Sequence, residues 1–119
     1  GFDNWIRALE EGKASDMGTR YNAGVWLECR RNAVGFLEEA KERLAGRADD
    51  AFDEALTHYG VVTETLGKVA DAYPWEDGAS DDETLSVDDR SRAAVDALRA
   101  AKESEAAGLQ ALEKIAQTL

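Results

Sequence analysis

The chain of 119 residues carries 25 acidic and 14 basic residues, which gives a formal net charge of −11. This charge argues against nucleic acid and anionic membrane surfaces as partners, because binding to phosphate groups depends on Lys and Arg. One Cys (Cys29) and one His (His58) allow no internal disulfide and offer too few ligands for a zinc site, so we expect neither a metal nor a cofactor. The sequence has no long apolar run and no leader segment, which favours a cytoplasmic location.

Two helices are predicted in the first part of the chain. Asp3 is placed to cap a short first helix that Gly12 ends, and its apolar positions are Phe2, Trp5, Ile6 and Leu9. Asp16 is placed to cap a long second helix that runs to about Ala45 and ends at Gly46. The apolar side of this helix is expected to contain Tyr21, Val25, Trp26, Cys29, Ala33, Phe36, Leu37, Ala40 and Leu44.

The third predicted helix has the clearest pattern in the sequence. Its apolar stripe follows alternating steps of four and three residues, through Phe52, Leu56, Tyr59, Thr63, Leu66, Ala70 and Tyr73, and is widened by Ala55, Val62 and Val69. Asp49 or Asp50 opens this helix and Pro74 closes it. Trp75 is expected to fold back onto the bundle, and residues 76–84 are predicted to form a surface loop.

A fourth helix is predicted from Ser86, which resembles a capping box with Asp89, to the C-terminus. Its inner face is expected to contain Ala94, Val95, Leu98, Ala101, Leu109, Leu112, Ile115, Ala116 and Leu119. The predicted fold is therefore an all-α, antiparallel bundle of three long helices plus a short N-terminal helix, in a single domain of residues 1–119. The chain begins with Gly rather than Met, which suggests a fragment of a longer protein.

Glu105 interrupts the apolar stripe of the fourth helix, and a carboxylate that faces a core must be paired and hydrogen-bonded. One interpretation is a structural ion-pair network with the second helix, whose candidate partners are Glu28, Arg30, Arg31 and Asn32. A second is a ligand pocket lined by Tyr21, Trp26, Glu28, Arg31, Tyr59, Lys102 and Glu105. In a third, Glu105 lies at the margin of the helix and is hydrated.

No catalytic residue is predicted. Cys29 lies on the expected apolar side of its helix, where a thiol is usually packed and unreactive, and nothing supplies an oxyanion hole for a dyad of Cys29 with His58. Glu54 precedes His58 at a spacing that di-iron bundles do not use. An enzymatic role for this chain by itself is therefore disfavoured.

Aromatic and helical positions along most of the chain carry a resemblance. They are Trp5-Ile6-x-x-Leu9, Tyr21, Trp26-x-Glu28-x-Arg30-Arg31-x-Ala33-x-x-Phe36-Leu37, Tyr59, Tyr73-Pro74-Trp75, and Arg99, Lys102, Glu105 and Leu109. This pattern resembles the helical C-terminal region of uncharacterised bacterial proteins with a papain-like (BtrH-type or peptidase-like) N-terminal domain. The resemblance implies a helical partner to that domain, which would hold the catalytic Cys and His, and Cys29 matches no such motif.

Two functions of different kinds follow from these observations. The first is a non-catalytic helical module that packs on a neighbouring domain or on a second copy of the chain, and such a module should expose an apolar patch. The second is a small-molecule-binding bundle with a polar pocket around Glu28, Arg31 and Glu105, which requires an enclosed cavity there.

Overall fold

The computed structural model of the protein describes residues 1–73 and 87–119, with the side chains of 87 and 88 left aside. Its helices are α1 (Phe2–Glu10), α2 (Asp16–Arg43), α3 (Asp49–Ala72) and α4 (Val87–Thr118). Over these described ranges the chain forms helices and no strand, so the predicted all-α bundle with a short first helix is confirmed. The predictions for Pro74, Trp75, the loop 76–84 and Ser86 concern positions outside the described residues.

The ends of the helices correct several predicted caps. Ser15, not Asp16, caps α2, because its hydroxyl oxygen accepts a hydrogen bond from the Gly18 backbone N–H at 2.9 Å. Asp3 lies inside the first turn of α1, which begins at Phe2. At that position its carboxylate still interacts favourably with the positive end of the helix dipole.

The connection between α2 and α3 is short and tightly turned. α2 ends at Arg43, earlier than predicted, and three of the following residues have left-handed backbone angles: Ala45 (φ 46°), Gly46 (φ 90°) and Ala48 (φ 63°). Gly46 adopts this conformation freely, whereas the two alanines store conformational strain. The reversal makes α2 and α3 antiparallel neighbours.

α3 is the central helix and packs against both α2 and α4. α2 and α4 flank it, and long side chains bridge these two helices, as in the Asp16–Arg90 ion pair of 2.9 Å. α1 runs antiparallel to α2 and fills the space between α2 and α4. On one side its Phe2 and Trp5 rings meet the Trp26 ring edge-on, with centroids 5.0 and 5.1 Å apart.

The core consists of two clusters, one at each end of the bundle. The proximal core contains Phe2, Trp5, Ile6, Leu9, Ala23, Leu27, Val62, Leu66, Val69, Ala70, Tyr73, Ala94, Val95, Leu98 and Ala101. The distal core contains Leu37, Phe52, Ala55, Tyr59, Ala111 and Ile115. α3 contributes to both cores, and the prediction of a broad apolar face on α3 is confirmed. Leu56 and Thr63 lie at the margin of that face and are half-buried.

The predicted inner face of α2 is partly wrong. Tyr21, Val25, Cys29 and Phe36 are exposed, and the buried residues are Thr19, Ala23, Leu27 and Leu37. The apolar residues of α2 spread over more than half of its circumference, so α1 and α3 can cover only one part of them.

Beyond Glu105 the prediction for α4 is only partly confirmed: Ile115 is buried and Leu112 is partly buried against the distal core. Leu109, Ala116 and Leu119 are exposed, while Gly108 and Ala111 are buried in their place. A Cβ atom at Gly108 would lie 2.8 Å from Cε2 of Tyr59, so the missing side chain is what lets the Tyr59 ring pack on α4. This close approach turns the Gly108 side of α4, not the Leu109 side, toward α3.

Candidate functional site

The candidate site is the ion pair between Arg30 of α2 and Glu105 of α4, at the boundary between the two cores. The Arg30 Nε donates a hydrogen bond to the Glu105 Oε1 at 2.8 Å, and Nη2 lies 2.7 Å from the same oxygen. The two side chains are only 23% and 19% exposed. The predicted pairing of Glu105 with α2 is therefore confirmed, and Arg30 is the partner among the residues considered.

Aromatic rings surround the cation. The guanidinium carbon of Arg30 lies 5.3 Å from the centroid of the Trp26 ring and 6.0 Å from that of Phe2. Both distances fall within the range of cation–π attraction, which gains strength where water is excluded. α1 thus contributes a ring to a charged site that α2 and α4 build.

Tyr59 of α3 lies close enough to Glu105 and Arg30 for both charges to shift its pKa. Burial raises the pKa of the Tyr59 phenol above its ordinary value of 10.0, and the negative charge of Glu105 raises this pKa further, while the Arg30 charge opposes the shift. The phenol is therefore kept neutral, and the site as a whole contains one cation and one anion. A paired and largely buried arrangement of this kind fixes the register of helices and offers no free acid, base or nucleophile.

The structure does not bring the seven predicted ligand-binding residues into one cavity. Trp26, Tyr59 and Glu105 gather around Arg30, whereas Tyr21, Glu28 and Arg31 are exposed. A ligand-binding role for these residues remains a prediction, without the shared pocket that it assumed.

Lys102 lies three residues before Glu105, in a cleft between α1 and α4 with a volume of about 590 Å³. Its amine binds the Asp3 carboxylate at 2.6 Å, and Arg99 binds Glu10 at 3.0 Å in the same cleft. The Lys102 bond lowers the pKa of Asp3 below its ordinary value of 3.8. These exposed pairs attach α1 to α4 and neutralise the charges that a ligand would need.

Sequence reasoning placed Arg30 among several partners for Glu105 but left it out of the ligand set, and it did not connect Phe2 with the site. The spacing of residues along α2 could have identified Arg30 as the partner. Arg30 follows Trp26 by four residues and shares its face of α2, whereas Arg31 is turned about 100° away from Arg30.

The reactive residues considered in the sequence form no site in the described part of the chain. Cys29 is exposed, which corrects the expectation of a packed thiol. Residues 1–73 and 87–119 contain no group of three or more His, Cys, Asp or Glu side chains placed to hold a metal ion. Glu54, considered beside His58, instead binds Lys114 at 3.1 Å. Within the same residues, none of the helices combines the length and the apolar character needed to cross a membrane.

The comparisons with known proteins identify no relative. No protein-family model matches the chain, and no curated protein and no solved structure matches it either. The resemblance to the helical region beside a papain-like domain stays a prediction.

Large apolar side chains at the surface are the second feature of functional interest. On α2 Met17, Tyr21, Val25 and Phe36 are 75%, 60%, 42% and 69% exposed, and Leu109 on α4 and Leu119 just after its end are 52% and 53% exposed. Met17, Tyr21 and Val25 follow one another at steps of four on the outside of α2, and we call these three residues the outer stripe. Single exposed apolar residues are common, but a row on one helix face is typical of a contact surface.

Proposed function

We propose that this chain is a non-catalytic helical module that uses exposed apolar surface on α2 to pack on a neighbouring domain or on a second copy of itself. The single observation that carries the proposal is the outer stripe, whose side chains are 75%, 60% and 42% exposed. Covering such side chains gains roughly 25 cal/mol per Å² of apolar surface removed from water.

The charge of the site supports a structural rather than a chemical role. Arg30 and Glu105 neutralise one another, and the ion pairs of α1 with α4 neutralise Asp3, Glu10, Arg99 and Lys102 in the neighbouring cleft, which Arg7 and Glu103 also line. The proposed activity is therefore binding, with the bundle as a rigid support for the outer stripe.

The experiment compares the wild-type chain with Tyr21→Glu and Val25→Glu by sedimentation velocity over a wide range of protein concentration. We expect the wild type to associate as concentration rises and both variants to remain monomeric, because a buried carboxylate at the interface is costly. Glu28→Gln, an equally exposed change on α2, is the matched control and should leave association unchanged.

The neighbouring-domain alternative has its own readout. In the complete product of the open reading frame, hydrogen exchange of α2 amides around Tyr21 should be slower than in the isolated chain. A wild type that stays monomeric, together with unchanged exchange in the complete product, would contradict the proposal.

A further inference from the structure

The space between α2 and α4, on the side away from α3, is occupied along only part of its length. α1 fills it in the proximal half, where it contacts the α2 face that carries Asn22 and Trp26. The helix begins at Phe2, directly beside the Arg30–Glu105 pair. Beyond that pair the two flanking helices continue for several turns, to Arg43 and Thr118, without α1 between them. We call this uncovered part the distal groove.

The α2 wall of the distal groove is apolar. Continuing from Trp26 by steps of three and four, the same face of α2 presents Cys29, Ala33, Phe36, Ala40 and Leu44. Ala33, Ala40 and Leu44 are half-buried against the distal core, and Phe36 is 69% exposed. Phe36, Ala40 and Leu44 also border a cavity of about 270 Å³, together with Glu39 and Arg43. A cavity of this size can receive one large apolar side chain.

The α4 wall of the distal groove is also apolar. Leu109, Leu112 and Ala116 succeed Glu105 at steps of four, three and four, so they lie on the face of α4 that the ion pair occupies. Leu109 is 52% exposed and Leu112 is partly buried against the distal core. The distal groove thus has leucine on one wall and Phe36 on the other.

The rim of the distal groove is acidic. Arg43 on the α2 side is bound by Glu39 at 2.6 Å, so its charge is neutralised there. Glu113 is exposed on the α4 side beyond Glu105, and the whole chain has a formal net charge of −11. Such a rim favours a partner with basic residues beside its apolar face and disfavours a second, equally acidic copy of this chain.

We propose that the distal groove binds an amphipathic α-helix of a partner protein, in line with α1, with large apolar residues facing inward and Lys or Arg at the flanks. This inference rests on the proposed function of an interaction module and adds a second surface, separate from the outer stripe, with the kind of partner that it binds. The choice of a helix follows from continuity, because the same space already accepts the apolar side of α1. From Cys29 to Leu44 the groove is about 22 Å long, room for a helix of about 15 residues.

The test uses the full chain and a dye-labelled synthetic peptide of about 15 residues. The peptide repeats the spacing of Phe2, Trp5, Ile6 and Leu9 on its apolar side and carries Lys elsewhere. One control peptide has Glu at every Lys position, and the other has Ser at every apolar position. Fluorescence anisotropy should show that the basic amphipathic peptide binds at least about tenfold more tightly than either control, because binding needs both the apolar face and the charge.

Variants of the protein show where on its surface the peptide binds. Phe36→Glu and Leu109→Glu should each weaken peptide binding more than about tenfold. Gln110→Glu, which adds the same charge at an exposed residue turned about 100° from Leu109 on α4, is the matched control and should bind normally. Circular dichroism checks that the variants are folded, and Phe36→Ser and Leu109→Ser test the walls without added charge.

Four results would overturn the inference. Equal binding of the serine peptide would mean that charge alone attracts it, and unchanged binding by both groove variants would place it elsewhere. Self-association of the wild type that is lost in Leu109→Glu and kept in Tyr21→Glu would assign the groove to a second copy of this chain. If Tyr21→Glu prevents association while no peptide binds, the groove inference fails and the interaction module stands.

Discussion

In the part of the chain that the structure describes, the proximal half of the bundle has four helices around a core rich in aromatic side chains, whereas the distal half has three helices around a smaller core. Phe2 and Trp5 on α1 account for much of this difference, since they cover α2 and α4 where these helices would otherwise stand open. The Arg30–Glu105 pair marks the boundary between the halves. The comparison teaches that one short helix decides which stretch of a long groove is core and which is surface.

The largest expected effect comes from removing the anchor of α1. Trp5→Ala should cost about 3–5 kcal/mol, because Trp5 is a large side chain buried in the proximal core. Native-state hydrogen exchange should then show rapid exchange throughout α1 while amides around Phe52 in α3 remain protected. Equal loss of protection in both halves would show that the bundle opens as one unit and would contradict the division into halves.

Removing the Arg30–Glu105 ion pair at the boundary between the halves should have the next largest effect. Arg30→Met should lower the free energy of unfolding by about 2 kcal/mol, since Glu105 loses a charged hydrogen-bond partner in a largely buried position. The double variant with Glu105→Met should recover most of this loss, because it removes both charges together. Urea denaturation of the two single variants and the double variant gives the coupling energy, and strictly additive losses would argue against a coupled pair.

A substitution at Gly108 tests the packing of α4 against α3 in the distal half. Gly108→Ala should destabilise the protein by about 1–3 kcal/mol, because the new methyl group would meet the Tyr59 ring. Gly35→Ala on α2 is the matched control, since no atom lies within 4 Å of its new Cβ, and it should stabilise the helix by up to about 1 kcal/mol. Thermal denaturation measures both changes, and a shift of the same sign for the two variants would be inconsistent with close packing at Gly108.

Alkaline titration should weaken the distal half through Tyr59. Its folded pKa is raised, so the stability that the neutral phenol provides is present below pH 10.0, the ordinary value, and is lost as pH rises through the folded pKa. Tyr59→Phe should therefore show a shallower loss of stability at high pH than the wild type in denaturation experiments. A slope in Tyr59→Phe equal to that of the wild type would contradict this role of Tyr59.

Acid titration should act on the proximal half and give the smallest effect. The folded pKa of Asp3 is lowered below 3.8, so the contribution of its pair with Lys102 is present above that value and is lost as pH falls through the folded pKa. Asp3→Asn should reduce the acid sensitivity of α1 slightly, since the pair is exposed to solvent. Hydrogen exchange in α1 at acidic and neutral pH can measure this change, and a larger effect on the distal half would contradict the assignment.

The sequence was sufficient to predict the helices and the central position of α3, because its apolar stripe has one regular period. The faces of α2 and α4 were harder to predict. Tyr21 and Phe36 are as apolar as the residues that pack, but none of the described helices covers them. Gly108 offered no signal, since a residue without a side chain acquires its role from the Tyr59 ring that packs on it.

For the candidate site, too, one part could be predicted from the sequence and another could not. A carboxylate on an apolar stripe had to be paired, so the need for a partner of Glu105 could be read from the sequence. The choice of Arg30 over Arg31 depends on the rotation of α2 about its axis, which α1 and α3 set together through packing on Trp26 and Leu27. The exposed positions of Glu28 and Arg31 follow from the same rotation.

The ion pairs of α1 have a consequence for how the protein is made. Asp3 pairs with Lys102, 99 positions later, and Glu10 pairs with Arg99, 89 positions later. The ribosome therefore synthesises Phe2 and Trp5 long before α4, the helix with which α1 forms these ion pairs. Until α4 emerges, Trp26 of α2 can cover only one side of these rings, while α2 and α3 are already free to form their hairpin.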